Sequence, residues 1–202
     1  MRTEELILTA SGILLTLVTL IIGILKFSKQ KKREFQKTFF STQLEIYKQA
    51  AHHAAALYVY PKSSDEYMAH RYKYKNLFLG EMCIVEDKIV EERMVQFNTI
   101  LNWYHESKKE SEAAILKKQL KHFALVLAHT LRNSSIETWK LKNDVLGELF
   151  NDFSINIEED KVRIKICRQM ISGELTPELY DKELNKQLNE LRMKEPIIIY
   201  HD

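Results

Sequence analysis

Residues 6–27 read LILTASGILLTLVTLIIGILKF, and as far as Leu25 the run holds no charge, no proline and two glycines, Gly12 and Gly23. A helix rises about 1.5 Å per residue, so about 20 residues cross a hydrocarbon core of about 30 Å. The run is long enough to span a bilayer, and it predicts a transmembrane anchor over residues 1–27. A cleaved signal peptide calls for a basic start, a shorter apolar core and a small-residue cleavage site. Here Arg2 is followed by Glu4 and Glu5, the apolar run is long, and the residues behind it are basic rather than Ala-x-Ala.

The flanks set the orientation. Lys26, Lys29, Lys31, Lys32, Arg33 and Lys37 follow the run against one acid, Glu34, while the other flank carries only Arg2 among basic side chains. Basic residues beside a span stay cytoplasmic. The expected placement is therefore a single pass with the N-terminus out and the C-terminal domain in the cytoplasm. The same cluster can touch anionic lipid heads, worth about 1 kcal/mol per basic residue at the surface. Thirty basic against 28 acidic residues leave a net charge of +2, which argues against nucleic acid as a partner.

Within the run, Thr9, Gly12, Thr16, Thr19 and Gly23 recur at spacings of 3, 4, 3 and 4. Small residues on one stripe let transmembrane helices approach closely, and threonine hydroxyls can bond across the contact. This seam predicts a homo-oligomer in the membrane.

Beyond the anchor the reading is all-α. Five glycines and three prolines in 202 residues leave few breaks, and no alternating strand pattern is sustained. The transmembrane helix is expected to continue as one rod to about residue 60, with Phe35, Phe39, Leu44, Tyr47, Ala51, Ala54 and Tyr58 at helical spacing. Pro61 to Ser64 turns the chain, and Ser64 or Asp65 caps the next helix, which is expected to reach about Val85. Asp87 caps a helix whose inward stripe is Val90, Met94, Phe97 and Leu101. Leu116, Leu120, Phe123, Leu127 and Leu131 form the next stripe, and Asn133-Ser134-Ser135 is expected to end that helix and cap another carrying Ile136, Trp139, Leu146 and Phe150. Short turns between amphipathic helices define an antiparallel bundle over residues 28–152.

Residues 153–160, in an acidic polar stretch, read as a linker. Residues 161–202 read as a helical hairpin and tail, with Gly173 as the helix end, Thr176 as cap and Pro177 in the first helical position. This segment is similar to short hairpins at the ends of bacterial proteins, which implies oligomerisation or docking. Ile197, Ile198, Ile199 and Tyr200 in the tail are candidates for adding to a protein partner as a strand or filling its groove.

The segment Phe78–Phe97, FLGEMCIVEDKIVEERMVQF, resembles a pattern of bacterial single-pass, membrane-anchored helical-bundle proteins of no established activity. In those, an aromatic-Gly-Glu precedes an apolar run and then a Val-Glu-acidic step. The chain departs from the pattern at Leu79. The resemblance extends over residues 39–139 and implies an anchor with a cytoplasmic helical domain. It brings no catalytic residues.

Candidate chemistry is sparse. Glu81 falls on the apolar face set by Tyr74, Phe78 and Val85, and a buried carboxylate there would need Arg71 or Arg132 as partner. Among the histidines (52, 53, 70, 105, 122, 129 and 201), the adjacent pair His52 and His53 could join a carboxylate from a neighbouring helix in a metal site. His122 and His129 share a helix face. There is no phosphate-binding glycine loop and no nucleophile elbow. Cys83 and Cys167 read as free thiols in a reducing compartment. No cofactor is expected. Three functions fit: a non-enzymatic membrane-tethered interaction or oligomerisation module, such as an accessory or effector of bacterial stress or phage defence; a membrane-anchored sensor with a small-ligand pocket between helices; and a helical metal-dependent hydrolase.

Overall fold

A computed structural model describes residues 3–138 and 156–194, with side chains from 19 to 136 and from 156 to 193. These residues form seven helices: α1 Thr3–Val59, α2 Asp65–Leu79, α3 Met82–Val85, α4 Lys88–Glu106, α5 Glu110–Thr138, α6 Ile157–Ile171 and α7 Pro177–Lys194. No strand occurs among them. The chain divides into two units, Met1–Thr42 and Gln43–Asp202.

In the first unit every described side chain from Thr19 to Thr38 is exposed, the basic cluster and Gly23 included. Among the described residues no helix is long and apolar enough to cross a membrane. Residues 6–18 of the apolar run, and with them Thr9, Gly12 and Thr16 of the seam, lie outside the residues whose side chains are described.

The second unit is the bundle. Its core takes Ile46, Tyr47, Ala50, Ala54 and Leu57 from α1, Tyr67, Tyr74 and Leu77 from α2, and the full expected stripes of α4 and α5. The inward face of α1 is therefore turned from the expected one: Phe35 and Leu44 are exposed and Gln43 is buried. Gln43 can lie inside because its amide donates to the Val85 carbonyl at 2.8 Å, joined there by the Tyr47 hydroxyl at 3.1 Å. Tyr74 meets Phe97 edge-on at 4.9 Å and donates to the Met94 sulfur.

Capping chemistry places the helix starts. The Ser64 hydroxyl accepts from the Tyr67 N–H, and Asp87 Oδ1 accepts from the N–H groups of Ile89 and Val90 at 2.9 Å each. Lys62 Nζ ties the α1–α2 turn to the α4–α5 turn by donating to the Ser107 carbonyl at 2.6 Å. Three helix boundaries differ from expectation. The helix after Ser64 stops at Leu79, because Gly80 leaves helical geometry (φ −124°, ψ −91°), and Met82–Val85 forms the separate α3. The serines at 134 and 135 do not end α5. The Ser135 hydroxyl is satisfied inside the helix by the Leu131 carbonyl, and Ser134 reaches Asp87 Oδ2. The segment around Asp160 is not a linker: α6 begins at Ile157, capped by Asn156, whose side chain accepts from the N–H groups of Glu158 and Glu159.

α6 and α7 form the expected hairpin, with Gly173 at φ +81° in its turn and Pro177 opening α7. Ile166, Cys167, Met170, Tyr180, Leu184 and Leu188 close its inner face. α6 and α7 both pack on α5, and α6 also touches α4. Trp139, Leu146, Phe150, linker residues 153–155 and the tail Ile197–Tyr200 lie outside the described residues.

Candidate metal centre

His52 and His53 project from α1 about 100° apart, the step between neighbours on a helix. The Pro61–Ser64 turn brings α2 back beside them and sets His70 against both. The three rings stand in mutual contact, with centroids 5.2, 5.4 and 5.0 Å apart. His53 Nδ1 and His70 Nδ1 share a hydrogen bond at 2.9 Å. One ligand nitrogen from each ring lies within 4.8 Å of the other two. His53 is buried, His70 is half-buried and His52 is exposed, so the cluster runs from the core to solvent. Tyr60 stacks nearly parallel on His70 at 5.5 Å and fixes the plane of that ring.

The electrostatics favour neutral rings. Burial first, then the neighbouring His70, His52 and Lys73, push the His53 imidazole down to about 4. His70 is lowered as well, by burial and then by His52 and Lys73. A neutral imidazole keeps a lone pair on one nitrogen, the form that binds a metal. Three imidazole nitrogens, one of them on the exposed His52, match the ligand number of catalytic zinc sites, where three protein ligands leave one position open.

The expected partner for His52 and His53 was a carboxylate, and the cluster contains none among the described residues; a third histidine takes its place. His70 carries no local motif. Its one signal is the turn, since His53 lies nine residues before Lys62 and His70 eight after it, which makes them opposite numbers in a helical hairpin.

Glu81 is corrected. The break at Gly80 moves it off the helical face of α2, Met82 takes the inward position, and Glu81 is exposed at the start of α3. Arg132 donates to Asn133 Oδ1, and Arg71 is half-buried near Tyr67 and His105. Among the described residues the buried carboxylate is instead Asp160, in the stretch expected to be a linker. Arg93 Nη1 donates to Asp160 Oδ2 at 2.7 Å, and His122 Nε2 meets Asp160 Oδ1 at 2.7 Å. Arg93 and Asp160 side chains are 1% and 3% exposed. The same Arg93 nitrogen also donates to Gln96 Oε1. This network clamps α4, α5 and α6.

A cleft of about 190 Å³ is lined by Asp87, Ile89, Arg93, Thr130, Asn133, Ser134 and Ile157. It is smaller than the roughly 300–1,000 Å³ of small-molecule sites. Fold and cluster together define an all-helical bundle with a three-histidine centre at its α1–α2 junction. Comparison of the chain with protein-family models, curated proteins and solved structures gives no match.

Proposed function

We propose that the chain is a membrane-tethered, non-enzymatic interaction module. The apolar run anchors it with the N-terminus outside and the bundle in the cytoplasm of a bacterial cell, and the small-residue seam pairs copies in the bilayer. One observation carries the reading. Leu20, Ile21, Ile22, Ile24, Leu25 and Phe27 stand 56–62% exposed on α1, and consecutive positions such as 20, 21 and 22 point in different directions around the helix. A helix that is apolar all round belongs inside a large core or a membrane. Transferring six such side chains out of water is worth on the order of 10 kcal/mol. The exposed lysines that follow suit the headgroup layer, and the Lys31–Glu34 pair at 3.8 Å leaves the cluster strongly basic.

The test is fractionation of the full-length chain. It is expected in the membrane pellet after an alkaline wash, and Ile21→Lys combined with Leu14→Lys should release it. Recovery of the wild-type chain in the soluble fraction would defeat the reading. Oligomerisation is checked separately by crosslinking in membranes. A Cβ at Gly23 would meet nothing within 4 Å, so Gly23→Leu is accommodated within one helix and its effect reports on contact between helices. Dimer or higher bands should fall in Gly12→Leu and Gly23→Leu.

A metal-dependent hydrolase is the second reading, favoured by the three-histidine cluster. Among the described residues the cluster holds no carboxylate to act as general base, and the interaction module is therefore preferred. A ligand sensor would need a pocket larger than the cleft of about 190 Å³ beside Arg93.

A further inference from the structure

We propose that His52, His53 and His70 form a binding site for a borderline divalent transition metal, zinc being the type ion, at the junction of α1 and α2. The site is independent of the membrane tether. Geometry is the first support. Imidazole nitrogens held at about 2.0–2.1 Å from a tetrahedral zinc stand about 3.3 Å apart. His53 and His70 already approach to 2.9 Å, and all three ligand atoms fall within 4.8 Å of one another. Binding one ion calls for ring movements that draw the three nitrogens to about 3.3 Å from one another.

Donor chemistry is the second support. The cluster offers imidazole nitrogen and neither carboxylate nor thiolate among the described residues. Magnesium and calcium demand oxygen ligands, and copper(I) favours sulfur, so the site selects zinc, nickel or copper(II) over the hard cations. Position is the third. His53 is anchored in the core, His70 is braced by the Tyr60 ring, and His52 faces solvent. An ion therefore enters past His52 and keeps a water or an exogenous donor in its remaining position. Bound metal crosslinks the end of α1 to the first half of α2 across the Pro61–Ser64 turn.

The experiment uses the untagged full-length chain in detergent, stripped with chelator and titrated with Zn²⁺ and, in parallel, Mg²⁺. One equivalent of Zn²⁺ per chain should bind with a dissociation constant in the micromolar range or tighter, raise the melting temperature, and leave Mg²⁺ without effect. His52→Ala removes an exposed ligand, so folding is retained, and it should weaken Zn²⁺ binding at least tenfold. His70→Gln should do the same, and the double variant should bind none at that stoichiometry. Co²⁺ substituted for Zn²⁺ should show visible absorption that the double variant lacks. If no equivalent binds in the micromolar range, or if the double variant binds Zn²⁺ as tightly as wild type, the proposal is overturned; the second result would assign binding to the remaining histidines.

Discussion

Asp160 shows how much one side chain can decide. It neutralises a guanidinium that is itself almost wholly enclosed, and it holds His122 with its second oxygen. Removing one member of a buried ion pair strands the other charge and typically costs about 3–5 kcal/mol. Asp160→Ala should therefore lose stability of that order in urea unfolding at pH 7. Replacing His122, which is 30% exposed, should cost clearly less. His105 offers a pH-dependent counterpart. Its imidazole is lowered by burial and then by Arg71, Lys75 and Lys62, with Glu106 opposing, and its Nδ1 is buried without a partner. A base whose pKa is lower in the folded state stays neutral there, while the unfolded chain takes up protons below about pH 6.5. The His105 contribution is thus complete above pH 6.5 and declines as the solution is acidified. His105→Gln should flatten the fall in melting temperature between pH 7 and pH 5, and an unchanged slope would disprove its role. These are also the residues that local pattern reads worst. Asp160 sits in a run of acids; Arg93, 67 positions earlier, and His122, 38 earlier, give it a buried role. His70 becomes a neighbour of His53 only once two helices are folded about a turn, and Glu81 was misplaced because its inferred face assumed an unbroken helix through Gly80.

At the scale of elements, the reading of sequence succeeds where local chemistry is sufficient. The α4 and α5 stripes, the caps at Ser64 and Asp87 and the Gly173–Pro177 turn all depend on residues within a few positions of one another. The end of α5 was missed because Asn-Ser-Ser suits a cap when exposed, whereas here Ser134 and Ser135 are buried and their hydroxyls find partners on Asp87 and the Leu131 carbonyl. The hairpin of α6 and α7 supports two predictions. Gly173 holds φ +81°, and a side chain in that region costs about 1–2 kcal/mol. Gly173→Ala should lower the melting temperature by several degrees, and no change would mean that the turn relaxes. Cys167 is enclosed within the hairpin beside the Tyr180 hydroxyl at 3.3 Å, and burial pushes its thiol up to about 11. Cys83 is exposed. A thiol reagent should modify one cysteine rapidly in the native chain and both in denaturant. Equal rates in the native state would contradict the packing of α6 on α7.

For the whole molecule, the all-helical class was legible and the placement of polar groups in its interior was not. Apolar spacing reports which faces are hidden, while the partners of hidden polar groups come from distant segments. The exposed apolar side chains at residues 20–27 predict that detergent is needed to keep the purified chain monodisperse. Aggregation without detergent and recovery with it, followed by light scattering, would agree with this; a monodisperse sample in plain buffer would not.

The pairing of Arg93 with Asp160 also bears on biogenesis. Synthesis runs from the amino end, so the guanidinium leaves the ribosome 67 residues ahead of its counter-ion. Until α6 emerges, Arg93 lacks that counter-ion and α4 and α5 lack the helix that packs on both, and any closure that buried the guanidinium alone would carry a penalty of several kcal/mol. A nascent chain arrested before residue 156 is accordingly expected to remain open to protease, and maturation of the helical core awaits release of the carboxyl-terminal stretch.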